Sequence, residues 1–204
     1  MNITAAWNFD KGEQRKHKLD RLLKAAATCF NEKGFSGTSL KDVANQLNIT
    51  DAAIYYYVRN KEELVNLCYL KATDLAEDAL DRAMQDGASP SEKLALFIGY
   101  QIDHLTGAEG PVAVMSEIPA LAEEHREAIR ARATRHQKRI TQLIQEGAED
   151  GSLVVVNPIA TSNVILGALN WMPKWYKPSP VLSVDMIKQS FVSSLMGGIR
   201  SQDL

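Results

Sequence analysis

The chain has 204 residues, 45% hydrophobic and 24% charged, with 12 glycines and 7 prolines; this composition excludes disordered, collagenous and low-complexity chains. Two cysteines, Cys29 and Cys68, cannot make a disulfide framework. No apolar leader opens the sequence, and the most apolar window, residues 164–172, falls short of the roughly 20 residues that cross a bilayer, so a reducing cytoplasm and no membrane partner are expected. The net charge of -2 hides an asymmetry: through Lys61 there are ten basic and six acidic residues, a balance of +4, which leaves -6 for the remainder. A basic start on an acidic body points to a polyanion-binding surface in the first third.

Residues 1–12 are polar, unpatterned and expected to fray. Leu19, Leu22, Leu23, Ala26, Ala27 and Phe30 then form a helical stripe that should stop at Gly34, where a left-handed cap costs nothing sterically. Thr38 or Ser39 caps a short helix carrying Leu40, Val43, Ala44 and Leu47 and closing at Asn48. Thr50 caps an apolar and aromatic segment over residues 51–58, and Asn60 precedes a long helix over 61–84. Further helices are predicted from Ser89 or Ser91 to about Thr106, around residues 112–121, over 123–149, from Pro158 to Trp175, and from Val184 to about Gly197. Residues 153–156 are the only strand-like run and read as a connector. The fold class is all-α: a three-helix head over residues 13–61 and a body of about six helices over 62–204.

The spacing over residues 38–58 has the parts of a helix-turn-helix. Ala44 allows close approach, Asn48 turns the chain, and Leu47, Ile49 and Ile54 make the apolar wedge. The series Phe30, Gly34, Phe35, Thr38, Ser39, Leu40, Val43, Ala44, Leu47, Asn48, Ile49, Thr50, Ile54, Tyr55, Tyr56, Tyr57, Val58, Asn60, Lys61, Glu62 and Leu64 resembles the DNA-binding domain of the TetR family of transcription regulators. The resemblance implies a double-stranded DNA operator as partner and phosphate contacts from Thr38, Ser39 and Lys61. Because Ile54 and Val58 are four apart and face the core, Thr50, Asp51, Ala52, Ala53 and Tyr56 should face the groove. Tyr55, Tyr56 and Tyr57 offer phenolic donors to phosphates, and Ala52 or Ala53 can touch a thymine methyl. Asn48 stands where the family usually has glycine, and Asp51 where it often has a base, which leaves the operator sequence open.

The resemblance further implies a homodimer through the last two helices, whose apolar residues include Ile159, Val164, Ile165, Leu169, Ile187, Phe191 and Leu195. Two heads about 34–36 Å apart then read a near-palindromic site. In this family the other body helices enclose a small hydrophobic effector whose binding releases DNA. Candidate lining residues are Phe97, Tyr100, Gln101, His104, Met115, Asn170, Trp171 and Trp175, with plain core packing as the competing reading. The stretch Gly167, Ala168, Leu169, Asn170, Trp171, Trp175, Tyr176, Pro178, Ser183 and Ile187 is similar to acyl-CoA-responsive TetR regulators. Arg126, Arg130, Arg132, Arg135, Lys138 and Arg139 of the long helix are offered as partners for CoA phosphates, although Arg126 and Arg130 lie near Glu123, Glu124 and Glu127.

No GxSxG, glycine-rich phosphate loop, HExxH or CxxC occurs, so the reading is a regulator, not an enzyme, with no cofactor and no metal. His125 and His136 lie about 16 Å apart along one helix and are expected at the surface. The cysteines read as buried, inert thiols. An acyl or lipid carrier with a degenerate head, a thiol- or histidine-based hydrolase, and a regulator whose effector is an uncharged aromatic or drug-like compound are the competing functions.

Overall fold

The computed structural model describes residues 3–106, 121–177 and 179–199, with side chains from Gly12 onward. Eight helices are present among them: α1 (Ile3–Gly37), α2 (Leu40–Leu47), α3 (Asp51–Tyr55), α4 (Lys61–Asp86), α5 (Pro90–Thr106), α6 (Glu123–Glu149), α7 (Pro158–Trp175) and α8 (Val184–Gly197). The helix predicted around 112–121 falls largely outside the described residues, as does Met115.

The polar leader is helical, contrary to the expected fraying. The α1 backbone begins at Ile3, and Gly12, a lone helix-weakening residue worth about 1 kcal/mol, does not interrupt it. At the other end Gly34 takes φ 71° and ψ 172°, a region closed to residues with a Cβ. The chain kinks there and makes one more turn to Gly37 instead of stopping.

The three short connections of the head are closed by local chemistry. Ser39 and Asp42 form a reciprocal capping box: the Asp42 amide donates to Ser39 Oγ at 3.1 Å, and the Ser39 amide donates to Asp42 Oδ2 at 2.8 Å. Asn48 ends α2 in the left-handed conformation (φ 53°, ψ 45°). Asn60 Oδ1 accepts from the Glu63 amide at 2.8 Å and starts α4. Thr50 sits at the N-cap of α3, but its side chain makes no cap hydrogen bond, and the helix ends at Tyr55, three residues before the predicted limit.

Two buried clusters are strung along α4. The first packs Leu22, Phe30, Val43, Ala44, Ile54 and Val58 of the head against Leu64, Cys68 and Leu75 of α4. Leu121 and Ile129 join it, so the start of α6 packs under the head. Ala79, Leu80 and Ala83 at the far end of α4 belong to the second cluster, with Phe97, Ile98, Ile144, Leu169 and Met196. Ion pairs tie α6 to α4: Arg132 to Asp74 at 2.7 Å and to Glu77 at 2.5 Å, and Arg139 to Asp81 at 2.6 Å. Lys174, at the end of α7, reaches the Asn31 carbonyl of α1 at 3.4 Å and links head to body. Residues 153–156 form no strand. Leu153 instead covers Gly147 so closely that a Cβ there would lie 2.5 Å from Leu153 Cδ1, which explains a glycine in the last turns of α6.

Candidate functional site

The helix-turn-helix presents its second helix outward. Ile54 and Val58 are buried, while Thr50, Asp51, Ala52, Tyr55 and Tyr56 are exposed and Ala53 is partly covered. Tyr55 and Tyr56 are 59% and 69% exposed, an extent that no core role explains. Tyr57 is half-buried and meets the Tyr56 ring edge-on at 5.0 Å, so it supports its neighbour. Ile49, expected in the wedge, is exposed.

A polar concavity beside α3 brings together Ser39, Asp51, Tyr55 and Lys61 with Ser36, Lys41 and Arg59. Two of the expected phosphate contacts have other duties in it. Thr38 is only 2% exposed, and its hydroxyl donates inward to the Gly34 carbonyl at 2.8 Å and the Cys29 carbonyl at 3.0 Å. Its side chain therefore ties the kink of α1 and is withdrawn from DNA. Lys61 spends two of its three ammonium protons on the Phe35 and Thr38 carbonyls, at 2.8 and 2.9 Å, and lies 4.1 Å from the Phe35 ring centre. Hydrogen bonds from Ser39 and then Lys33 hold the Asp42 carboxyl well below the usual carboxylate range.

Three basic residues escaped the sequence reading of this surface. Arg59, just before the Asn60 cap of α4, has its side chain 86% exposed beside Glu63. Lys41 projects from α2. Arg15, on α1 ahead of its apolar stripe, lies over the Tyr56 ring at 5.8 Å. The +4 balance of the first 61 residues was the signal that covered all three.

The body holds a cavity of about 120 Å³ between α4, α5, α6 and α7. Leu75, Leu105, Leu166 and Leu169 supply apolar wall, and Tyr69, Thr73, Gln101, His104, His136 and Asn170 the polar groups. Of the nominated effector contacts, the cavity gathers Gln101, His104 and Asn170. Phe97 packs in the core against His136, ring centres 5.7 Å apart. Tyr100 points the other way, donating to Asp86 at 2.6 Å beneath Arg82. Arg126 pairs with Glu123, and Arg130 is exposed away from the lining.

Trp171 and Trp175 also lie outside the cavity, 63% and 44% exposed. With Ala160, Val164 and Gly167 they follow a spacing of three or four residues along the exposed side of α7, and Trp175 stacks on Phe191 of α8 with ring centres 6.3 Å apart. Of the residues nominated for a dimer face, Ile165, Leu169 and Ile187 are buried inside the chain and Phe191 and Leu195 are half-buried against the same core, while Ile159 and Val164 are exposed.

His136 reverses its expectation as a surface residue. It is 8% exposed, both ring nitrogens lack a protein partner, and burial pushes its pKa down to about 4. The neutral imidazole is thus the form present near neutral pH. Its Phe97 contact and its place on α6 facing α4 were not readable from a sequence interval. Both cysteines are buried, and desolvation raises the pKa of each. Among the described residues no group of histidine, cysteine or acidic side chains could hold a metal ion, and no helix is long and apolar enough to cross a membrane.

Residues 22–68 match the family model for bacterial regulatory proteins of the tetR family, and residues 87–199 match the tetracyclin repressor-like C-terminal domain. The chain belongs to the TetR family of transcription regulators. Among its relatives is the HTH-type transcriptional repressor KstR2 of Mycolicibacterium smegmatis, 23% identical over 198 residues that cover 93% of this chain and 94% of that protein. The structure of the ketosteroid transcriptional regulator KstR2 of Mycobacterium tuberculosis superposes with a TM-score of 0.78 at 21% identity, covering 92% of this chain and 96% of that one; it shares the fold. AibR, crystallised in complex with isovaleryl coenzyme A and operator DNA, superposes at 0.68 with 27% identity over 86% of this chain and 96% of its own. As a TetR-family regulator, the molecule carries its helix-turn-helix in residues 38–58 and its C-terminal domain in the helices around the cavity.

Proposed function

We propose that this TetR-family protein is a homodimeric repressor that leaves a near-palindromic operator when a small effector enters the cavity. In this reading residues 13–61 bind DNA, and residues 62–204 bind the effector and form the dimer. The observation that carries the reading is the five-residue helix α3, held from behind by Ile54 and Val58 with its outer face uncovered. Thr50, Asp51, Ala52, Ala53 and Tyr56 are the base-facing candidates. Ser39, Tyr55, Lys61, Arg59 and Arg15 are the backbone-facing ones, with Tyr57 bracing Tyr56.

Pairing through α7 and α8 is supported by the uncovered row of Val164, Trp171 and Trp175, where Ala160 and Gly167 let a second helix approach. For the effector, the complex of AibR with isovaleryl coenzyme A supports a short acyl thioester. A cavity of about 120 Å³ suits a short acyl group, since an engineered cavity of about 150 Å³ holds benzene. Among the described residues no lysine or arginine lines the cavity, so the CoA phosphates would lie outside it. That same observation supports an uncharged small molecule as the second reading.

The test is selection of operator sequences from a random pool, followed by salt titration of the purified dimer on the winner. A palindromic site is expected, with log Kd rising linearly with log salt. Tyr56→Ala should weaken binding by about tenfold to a hundredfold at unchanged fold stability. Recovery of no preferred sequence would leave the carrier reading in its place.

A further inference from the structure

The cavity has an uneven polar inventory. Gln101 Oε1 is a buried acceptor without a partner, and both nitrogens of His136 are equally unpartnered. Each of the two residues is 8% exposed, and both line the same space. The other polar groups of the lining are engaged or peripheral. The Thr73 hydroxyl donates back to the Tyr69 and Leu70 carbonyls at 2.7 and 2.9 Å. His104 Nε2 lies 3.0 Å from Asp78 Oδ2, itself an exposed carboxylate, and Asn170 is exposed.

A neutral imidazole has one N–H donor and one bare nitrogen acceptor, and the depressed pKa of His136 keeps it in that form. The unpartnered atoms of the site are thus two acceptors and one donor, and among the described residues no lysine or arginine lines it. A hydrocarbon would leave all three atoms unpaired. A carboxylate or a carbonyl only accepts; it would serve the single donor and face two acceptors. A hydroxyl pairs two of the three, giving its one proton to an acceptor and receiving the imidazole N–H on its oxygen, where a carbonyl pairs one.

We propose that the effector segment entering the cavity is a short hydroxylated chain or ring of about four to six carbons, its hydroxyl donating to Gln101 Oε1 and accepting from the His136 N–H. This rests on the reading of the cavity as the effector site and narrows the ligand class to hydroxyacyl groups and small alcohols. The rest of the wall, Leu75, Leu105, Leu166, Leu169 and Pro173, packs the carbon skeleton.

The experiment is calorimetric titration of the full chain with two matched pairs: 3-hydroxybutyryl-CoA against butyryl-CoA, and cyclohexanol against methylcyclohexane. The hydroxylated member of each pair should bind at least about tenfold more tightly, since an unpaired buried polar group weakens binding by roughly that factor or more. Gln101→Leu should bring the members of each pair to parity. In the unaltered chain the His136 ring nitrogens should shift in an NMR titration with the hydroxylated probe and stay in place with the hydrocarbon, a readout that holds even where the variant fails to fold. Equal binding of both members of a pair, with the His136 signals moved by each, overturns the proposal and leaves the effector site standing. Absence of binding by all four probes, with unmoved His136 signals, removes the effector reading and the proposal together.

Discussion

The two ends of α4 belong to regions built on opposite terms. At its N-terminal end the head closes its connections with short-range bonds: the Ser39 and Asp42 box, left-handed Asn48, Asn60 on the Glu63 amide, and the Thr38 hydroxyl on the kink of α1. At its C-terminal end the body is assembled from helices held by apolar stripes and by ion pairs between distant segments, such as Arg132 with Glu77 and Lys188 with Asp103. Buried polar atoms without partners occur in both regions, at Asn31 in the head and at Gln101 and His136 in the body. Rigidity in the head is thus local and suits a surface that meets a stiff polymer. In the body it is tertiary, set by which helices the fold brings together.

The largest effect that would sharpen this contrast is Ile54→Ala. It opens a hole behind the recognition helix, and a loss of about 3 kcal/mol is expected in denaturant unfolding followed by head-specific probes. Next in size is the pH response of His136. Its folded pKa of about 4 lies below the unfolded value near 6.5, so the unfolded chain takes up the proton first. The stabilisation is complete above about pH 6.5 and is lost as pH falls towards 4, by roughly 3 kcal/mol in all. His136→Phe should flatten that window in unfolding curves at pH 7.5 and 5; an unchanged slope would mean the histidine is solvated.

Thr38→Val separates scaffold from DNA contact. Losing the one hydroxyl proton shared by the buried Cys29 and part-buried Gly34 carbonyls should cost about 1–3 kcal/mol of stability while the salt slope of operator binding stays the same. Lys61→Met should remove the cap on the Phe35 and Thr38 carbonyls and lower the salt slope by about 1 if the remaining ammonium proton meets a phosphate. The smallest effect is Ser39→Ala, which removes half of the capping box for about 1 kcal/mol in thermal unfolding. Comparable losses on cutting one side-chain bond in the body, as in Thr141→Val against Ser162, would erase the distinction between the two regions.

Much of the head was legible in the sequence because each of its features is decided within four or five residues. Gly34 and Asn48 have the positive φ that their residue types favour, and Ser39 caps the helix it precedes. Even there, the inward turn of Thr38 escaped notice, since nothing local says which carbonyls a threonine will find at a kink. In the body, helix limits such as Pro158–Trp175 and Val184–Gly197 were readable from prolines, serine caps and periodicity, but their faces were not. Trp171 and Trp175 were assigned inward and lie outward, whereas Ile165 and Leu169 were assigned outward and lie inward.

The sequence by itself determined an all-helical chain, the order and ends of most helices, and the helix-turn-helix with its outward residues, because caps, turns and short apolar spacings act over one helical turn. Only the tertiary structure decided that Gln101, His104, Asn170 and His136 share one cavity, that the basic residues Arg132 and Arg139 of α6 are engaged by α4, and that α7 leaves its tryptophans bare. A helix apolar on much of its circumference can bury either side equally well, and the choice is made by which neighbours the rest of the chain brings against it.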